Sequence, residues 1–283
     1  MSPRGLQNLG NTCYLNTVLQ CLFHCHDLTE KISMLSLPSP LSDEYQNLTL
    51  EGTSFLDGTA IRPTKFIQIL AQICPKFGGY QQQDSHELLI FLLEKLESET
   101  KIIFDLFKGK LCSSIINEEL SFESKTYEDF TCLSLEIPKD QTSIYDCLNS
   151  YTKTEILSGN NAFNHLGKLI QVEKRLTLDK LPNNLIIHLK RFEFTSSNRG
   201  KINTLVSFPI IDLDLSSYNH GKYDLYAIAN HSGGLSGGHY YAYCLDSFEN
   251  KWYTFNDSSV SSISSEDLVT SNAYLLFYTI RGI

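Results

Sequence analysis

The clearest periodic segment of the chain lies close to its start. Apolar residues recur there at the spacing of a helix with one buried face: Leu15, Val18, Leu19, Leu22 and Phe23. Asn11 or Thr12 is placed to cap this helix, so Cys13 falls in its first turn. Unpaired N–H groups and the positive end of the helix dipole favour a thiolate at that position. We therefore expect the pKa of Cys13 to lie below the usual value of about 8.5.

A second helix is predicted immediately after residues 83–87. Its apolar stripe consists of five leucines: Leu88, Leu89, Leu92, Leu93 and Leu96. Between the two predicted helices, residues 36–58 contain two prolines and two glycines and show no clear period. This pattern predicts a looser insert.

The second half of the chain is typical of strands. Beyond Leu181, segments rich in aromatic and β-branched residues alternate with turn formers, at residues 185–192, 226–230, 239–245, 252–255 and 274–280. Their connections are short, which predicts antiparallel pairing. Residues 111–177 have a mixed character. The whole pattern predicts one α+β unit without a linker.

Composition and charge narrow the classes of function. A net charge of −9 over 283 residues argues against a nucleic-acid partner and favours a basic or neutral protein partner. No apolar run approaches the roughly 18 residues of a membrane span, so no membrane association is expected. The eight cysteines are irregularly spaced, and no secretory segment is recognisable before the first predicted helix. We expect reduced thiols and a cytoplasmic or nuclear location.

The residues that carry candidate chemistry lie at the two ends of the chain. Cys13 at a helix start fits a nucleophile, although a buried structural thiol is the alternative. His239 begins a predicted strand directly after the glycine-rich residues 233–238, and a structural histidine is again the alternative. Asn256 and Asp257 end the following strand, where an amide or a carboxylate can orient the imidazole. Near Cys13, Asn8 and Asn11 bring amide donors of the kind that an oxyanion hole requires.

Four segments of the chain together resemble the catalytic domain of a ubiquitin-specific protease. They occur in the order of that family: GLQNLGNTCYLNTVLQCL, GGYQQQDSHELL, LPNNLIIHLKRF, and YAIANHSGGLSGGHYYAY through KWYTFNDSSV. The resemblance covers nearly the whole chain. It implies a papain-like α+β fold with a helical thumb (about 1–107), β-rich fingers interleaved with the palm (about 108–177), and an antiparallel β palm (about 178–283).

The resemblance also implies an activity. Members are deubiquitinating cysteine proteases that cleave the isopeptide or peptide bond after the C-terminal glycine of ubiquitin through an acyl-enzyme, without a cofactor. By position, Cys13 matches the nucleophile, His239 the general base and Asn8 the oxyanion-hole amide. Asn256 matches the residue that orients the histidine, and the adjacent Asp257 leaves that choice open.

Two further positions match the part of the family's site that binds the ubiquitin tail. Asp84 matches the acidic residue that meets the arginine-containing tail, and a helix cap is the alternative. Tyr240 matches the aromatic residue that borders the narrow tail channel, and a core tyrosine is the alternative. The implied partners are ubiquitin and ubiquitinated proteins. Three matters stay open: the need for an activating protein partner, binding of ubiquitin without turnover, and action on a ubiquitin-like modifier.

The chain departs from the family in the fingers. Many members hold a structural zinc there with two Cys-x-x-Cys pairs, as a tetrahedral thiolate site requires. The corresponding residues are Asn117, Leu120, Phe163 and Leu166. The sequence therefore predicts a small hydrophobic cluster in place of the metal.

We predict that the purified protein holds no stoichiometric zinc, because three of those four positions are apolar and the fourth is an amide. Elemental analysis measures this directly, and dialysis against a chelator beforehand removes loosely bound metal. One equivalent of zinc per chain after dialysis would contradict the prediction.

Overall fold

The computed structural model describes residues 3–54, 58–139, 142–194, 199–218, 220–234 and 237–282. Its α-helices are α1 (Cys13–Phe23), α2 (His26–Ser33), α3 (Pro40–Gly52), α4 (Thr64–Ile73), α5 (Ser85–Glu99), α6 (Ile102–Phe107) and α7 (Ile144–Tyr151). The predicted helices correspond to α1 and α5, and both predictions are confirmed. Among the helices described, none is long and apolar enough to cross a membrane.

The strands follow mainly after the helices. In chain order they are β1 (Gly109–Asn117), β2 (Phe122–Phe130), β3 (Leu133–Glu136), β4 (Thr142–Ser143), β5 (Glu155–Leu157), β6 (Phe163–His165), β7 (Lys168–Ile170), β8 (Val172–Lys180), β9 (Asn184–Lys190), β10 (Phe192–Phe194), β11 (Arg199–Lys201), β12 (Val206–Ser207), β13 (Leu213–Asp214), β14 (Lys222–Gly234), β15 (Gly237–Asp246), β16 (Lys251–Asn256), β17 (Ser259–Ile263) and β18 (Ala273–Ile280). Each of the five predicted segments overlaps a strand: β9, β14, β15, β16 or β18.

Two sheets contain most of these strands. The larger follows the order β17-β16-β15-β14-β18-β9-β3, and β13 pairs with β14 beside this path. Neighbours along it are antiparallel except β3 and β9, which are parallel. The smaller sheet has the order β2-β1-β8-β5. The predicted α+β fold and the antiparallel pairing of the five predicted segments are thus confirmed.

The core of the helical half forms around α1. All eleven residues of α1 are buried, and the helix packs against α5 on one side and against β14 and β15 on the other. The sheet presents small residues in the shared core: Ala227, Ala229, Ala242 and Cys244. Small side chains let a helix backbone approach a sheet closely. The position of α1 against β15 is therefore set by the packing of the core.

The predicted looser insert contains a helix. Ser39 caps α3, because its side chain accepts a hydrogen bond from the Ser42 N–H at 3.3 Å, and Pro40 occupies the first turn. Leu41, Tyr45 and Leu48 of α3 are buried in the core. The prediction is wrong for residues 40–52, where proline and glycine mark the two ends of a helix. Residues 55–57 lie outside the described part of the chain.

The predicted hydrophobic cluster of the fingers is only partly present. Phe163 stacks on Phe122 with 5.7 Å between ring centroids, and His165 lies 4.4 Å from the Phe122 ring. Leu120 and Leu166, however, are 54% and 92% exposed. The prediction is wrong for these two leucines, since Leu166 has a positive φ in the turn between β6 and β7 and leaves the cluster. Within the described ranges, no group of three or more His, Cys, Asp or Glu side chains is arranged to hold a metal ion.

A stacked histidine pair, in which His188 is buried and His86 is half-buried, joins α5 to the large sheet. His188 on β9 is 9% exposed and stacks on His86 of α5 with 3.9 Å between ring centroids. Its Nδ1 lies 2.9 Å from the Ser134 hydroxyl oxygen. Burial, followed by the nearby His86 and Lys190, lowers the pKa of His188 to about 2. The folded protein therefore keeps this ring neutral.

We predict that His188 makes folding sensitive to mild acid. The unfolded chain protonates this histidine below about pH 6.5, whereas the folded chain does not. Its contribution to the free energy of unfolding is therefore complete above pH 6.5 and falls by about 1.4 kcal/mol per pH unit below it. Between pH 7 and pH 5 the loss is about 2 kcal/mol.

Urea unfolding of the wild type and of His188→Gln across this pH range measures the effect. The variant should lose stability less steeply as the pH falls, whatever its stability at pH 7. His26→Gln, which replaces an exposed histidine, is the matched control. Equal slopes for the wild type and His188→Gln would contradict the prediction.

Candidate active site

The chain turns sharply just before α1. Gly10 and Asn11 have φ angles of 104° and 57°, in the left-handed region that favours glycine and asparagine. Thr12 is the N-cap residue, but its side chain does not cap the helix; its hydroxyl oxygen accepts from the Leu9 N–H at 2.9 Å. Cys13 is then the first residue of α1, as predicted.

The environment of the Cys13 thiol differs from the expected one. The residue is 2% exposed, and burial is the main cause that raises the pKa of its thiol. Backbone hydrogen bonds from Tyr240 and Tyr14 lower the pKa, while the negative charge of Asp257 raises it. The expectation of a lowered pKa is wrong, because loss of water outweighs the donors at the helix start. A thiolate here requires a base that removes the proton.

His239 and Asn256 form the second part of the site. The register of β15 and β16 pairs Ala242 with Phe255, so Asn256 lies opposite Tyr241 and on the same face of the sheet as His239. The His239 Nε2 lies 2.6 Å from the Asn256 amide oxygen. Because that oxygen only accepts, the ring donates at Nε2 and keeps Nδ1 as an acceptor.

The side chains of Cys13 and His239 are not hydrogen-bonded to each other, although the residue next to His239 in the sequence acts on the thiol. The backbone of Tyr240, the residue after His239, acts on the Cys13 thiol and lowers its pKa. Among the residues described, no hydrogen bond connects the thiol with the His239 ring. Catalytic hydrogen bonds are often long in free enzymes and shorten when substrate binds.

Asp257 contacts two asparagines. Its carboxylate accepts from the Asn8 side chain at 2.9 Å and from the Asn16 side chain at 2.8 Å. The two candidates for orienting the imidazole are thus separated in space: Asn256 contacts His239, and Asp257 contacts the segment before and inside α1. This segment also passes close to Asp257, because the Leu6 N–H donates to the Asp257 carbonyl oxygen at 2.9 Å.

The orientation of the Asn8 amide is determined by its partners. Its Oδ1 accepts from the N–H groups of Gly10 at 3.0 Å and Thr12 at 3.1 Å. Its Nδ2 therefore faces Asp257, and one of its two N–H groups is used there. The second N–H group is available as a donor beside the start of α1.

Asp84 has two roles in the structure. Its Oδ1 caps α5 by accepting from the N–H groups of His86 at 2.7 Å and Glu87 at 3.1 Å. Its Oδ2 accepts from the Tyr274 hydroxyl at 2.7 Å. The cap is therefore observed. A carboxylate has about four acceptor positions, so Asp84 retains capacity for a further donor.

A cavity of about 550 Å³ opens beside this carboxylate. Its wall includes Gln82, Asp84, His86, Tyr240 and Tyr274. Tyr240 is 6% exposed and belongs to the core, and burial raises the pKa of its hydroxyl. Tyr240 is therefore a core tyrosine that also lines the cavity, so its position is compatible with both predictions, the core residue and the border of the tail channel.

Three residues of this region were not identified from the sequence. Tyr274 binds Asp84, Asn16 binds Asp257, and Gln82 binds the residue before His239. The sequence pattern could have indicated Asn16, because it is a polar residue in a helix whose other face is apolar. No sequence feature distinguishes Tyr274 or Gln82, since the tyrosine lies in an ordinary strand pattern and the glutamine is one of three in a row.

Curated proteins that are similar over nearly the whole chain are ubiquitin carboxyl-terminal hydrolases. Ubiquitin carboxyl-terminal hydrolase 2 of Rattus norvegicus is 33% identical over 333 residues, which cover 98% of this chain and 54% of that protein. Ubiquitin carboxyl-terminal hydrolase 21 of Homo sapiens is 31% identical, covering 97% of this chain and 61% of that protein. The chain thus spans about half the length of the curated hydrolase 2 relatives from rat and human that it matches.

Solved structures agree with the sequence relatives. The SAGA DUB module of Ubp8, Sgf11, Sus1 and Sgf73 bound to monoubiquitin contains a chain that matches with a TM-score of 0.88 and 31% identity, covering 100% of this chain and 72% of that one. The module bound to ubiquitin aldehyde gives 0.86 and 29%, covering 99% and 70%. The family model for ubiquitin carboxyl-terminal hydrolases matches residues 4–278, and the chain belongs to that family.

Proposed function

We propose that this chain is a deubiquitinating cysteine protease that hydrolyses the isopeptide or peptide bond after the C-terminal glycine of ubiquitin. The observation that carries the proposal is the pairing of His239 with Asn256 at 2.6 Å, in the strand β15 that packs against α1, whose first residue is the buried Cys13. Membership of the hydrolase family supports the same reading.

The first chemical step forms a bond between Cys13 Sγ and the carbonyl carbon of the terminal glycine. His239 accepts the thiol proton at Nδ1, while Nε2 stays bonded to Asn256. The raised pKa of Cys13 makes this transfer necessary, because the buried thiol does not ionise readily by itself. Asn256 is a neutral amide, so it orients the ring but stabilises the imidazolium less than a carboxylate does.

The negative charge that develops on the carbonyl oxygen needs donors nearby. The second N–H group of Asn8 is suited to this role, because Gly10, Thr12 and Asp257 hold the amide in one orientation. Backbone N–H groups at the start of α1 add to it. Asp257 supports this arrangement through Asn8 and Asn16.

Collapse of the intermediate releases the first product. His239 gives its proton to the leaving lysine nitrogen, the C–N bond breaks, and ubiquitin stays on Cys13 as a thioester. A water molecule that loses a proton to His239 then attacks the thioester carbonyl. Ubiquitin leaves with a free carboxylate, and the thiol is restored.

The cavity beside Asp84 is the proposed channel for the ubiquitin tail. Asp84 is already held by the α5 N–H groups and Tyr274, so its charge is fixed where an arginine of the tail would enter. Tyr240 borders the same space. A short tail buries too little area for tight binding, so most of the affinity must come from the folded surface of ubiquitin.

The proposed division of the chain follows its elements. The thumb (about 1–107) contains α1 to α6, the fingers (about 108–177) contain most of the four-stranded sheet, and the palm (about 178–283) contains most of the large sheet. We also propose a cytoplasmic or nuclear location. The free state of all eight cysteines is compatible with a reducing compartment.

An activating protein partner is part of the proposal. The thiol of Cys13 and the ring of His239 are not hydrogen-bonded, and burial keeps the thiol protonated. A partner or the substrate can supply the small rearrangement that joins them. Ubiquitin binding without turnover is less favoured, because all the groups needed for catalysis are present.

We predict that a ubiquitin probe with a C-terminal electrophile forms one covalent adduct with the protein. The adduct should be absent from Cys13→Ala, because Cys13 is the proposed nucleophile. Intact mass measures the result, and probes built on ubiquitin-like modifiers test the alternative substrates. An adduct of equal yield in Cys13→Ala would contradict the assignment. Ubiquitin binding without an adduct would favour a binding module or an enzyme that requires its partner.

We also predict that Asn256→Ala and Asp257→Ala reduce turnover for different reasons. Asn256→Ala should lower kcat about 10- to 100-fold and alter its pH profile, because the imidazole loses its acceptor. Asp257→Ala should lower kcat while the profile keeps its shape, because the loss acts through Asn8. Hydrolysis of a ubiquitin fluorogenic substrate across pH 6 to 9 measures both. A changed profile in Asp257→Ala alone would reverse the two assignments.

A further inference from the structure

We propose that Gln82 is a positioning residue for His239 and acts through the backbone of Gly238. The Gln82 side chain donates to the Gly238 carbonyl oxygen at 2.6 Å and accepts from the Gly238 N–H at 3.0 Å. One amide therefore binds both polar backbone groups of the residue that precedes the base. The contact joins positions 156 residues apart, from the segment before α5 to the start of β15.

Within the described residues, the end of the β14–β15 hairpin is built from glycine. Gly233 pairs with Gly238, and Gly234 pairs with Gly237, so four glycines without side chains form the last two rungs. Gly233 also has a φ of 98°. Glycine loses the most conformational freedom on folding, so an additional restraint is needed to hold such an end in one geometry. The Gln82 amide supplies that restraint.

Gly238 cannot be replaced by a residue that would fix the hairpin from within. A Cβ there would lie 2.7 Å from the Ser232 carbonyl oxygen and would collide with the His231 ring. The position must stay glycine, and its geometry must be fixed from outside the strand. Gln82 lies in the segment before α5 and binds Gly238 from outside the hairpin.

The segment that carries Gln82 also contacts the loop before Cys13. The Tyr80 carbonyl oxygen accepts from the Asn11 side chain at 2.7 Å. The Tyr80 ring lies against Gly10, where a Cβ would stand 2.9 Å from its Cδ1 atom. Residues 80–82 thus bridge a point two residues before the proposed nucleophile and a point one residue before the proposed base. A short bridge between these points constrains the separation of Cys13 and His239.

This inference rests on the proposed function and assigns Gln82 a role apart from binding of the tail. Both polar atoms of its side chain are engaged with Gly238, so the amide acts on the hairpin. Loss of a residue that positions the base lowers kcat, whereas loss of a tail contact raises KM. The two roles are therefore separable by kinetics.

The test compares Gln82→Ala and Gln82→Glu with Gln81→Ala as the matched control. Gln81 is an exposed glutamine of the same segment, and its side chain makes no hydrogen bond within the described residues. With a ubiquitin fluorogenic substrate, Gln82→Ala should lower kcat about tenfold with little change in KM. Gln82→Glu should lower kcat at least as much, because a carboxylate oxygen would face the Gly238 carbonyl oxygen as a second acceptor where the amide donates. Gln81→Ala should match the wild type.

A second measurement needs no ubiquitin. The rate of alkylation of Cys13 by iodoacetamide is followed against pH and read from the mass of the peptide that contains Cys13. In the free protein the thiol gives its proton to His239 only when thermal motion brings the ring to it. Gln82→Ala should shift this profile toward higher pH, because a displaced imidazole reaches the thiol less often. If the wild type alkylates normally but does not cleave ubiquitin, that failure concerns the proposed function or its activating partner, and this measurement still tests the role of Gln82.

Three results would overturn the inference. They are a raised KM with unchanged kcat in Gln82→Ala, an alkylation profile equal to that of the wild type, and kinetics equal to those of Gln81→Ala. Thermal unfolding of each variant checks the fold. If Gln82→Ala does not fold, the Gln82→Glu variant carries the same comparison, and wild-type kcat in that variant would overturn the inference.

Discussion

The burial of α1 against the β14–β15 hairpin is the interaction on which the rest of the site depends. Each large apolar side chain that the helix buries contributes about 1.5–3 kcal/mol, so the helix as a whole is strongly fixed. Its apolar residues meet small residues such as Ala229 and Ala242, which pair across the two strands. A helix that lies this close to the sheet brings its first residue, Cys13, against the backbone of β15. The position of the thiol is therefore a product of core packing.

This close packing has an electrostatic cost at the helix start. Cys13 loses its contact with water, and the resulting rise in its pKa exceeds the effect of the nearby backbone donors. Polar groups that are brought into the same region need partners. Asp257 obtains two side-chain donors, Asn8 and Asn16, and Asn8 in turn accepts from two backbone N–H groups. The network that satisfies these groups also holds the Asn8 amide in one orientation in the segment before α1.

Much of the fold and part of the site could be predicted from the sequence. The periodic leucines of α1 and α5 predicted two helices, and the aromatic and β-branched runs predicted five strands, because both patterns report burial directly. The helix at 40–52 was missed, since Leu41, Tyr45 and Leu48 are separated by polar residues and only the core shows that they face it. Leu120 and Leu166 were also predicted incorrectly: both are apolar, but the geometry of the finger turns leaves them exposed.

The sequence by itself determined which chemical groups are present and on which elements they lie. A cysteine at a helix start, a histidine at a strand start and an amide at the end of the next strand follow from local pattern, because helix and strand periods are local properties. Only the tertiary structure decided that His239 pairs with Asn256, that Asp257 accepts hydrogen bonds from Asn8 and Asn16, and that Gln82 binds the Gly238 backbone. It also reversed the expected shift in the pKa of Cys13. Contacts between residues far apart in the chain and the extent of burial depend on how the elements pack, and no local pattern contains that information.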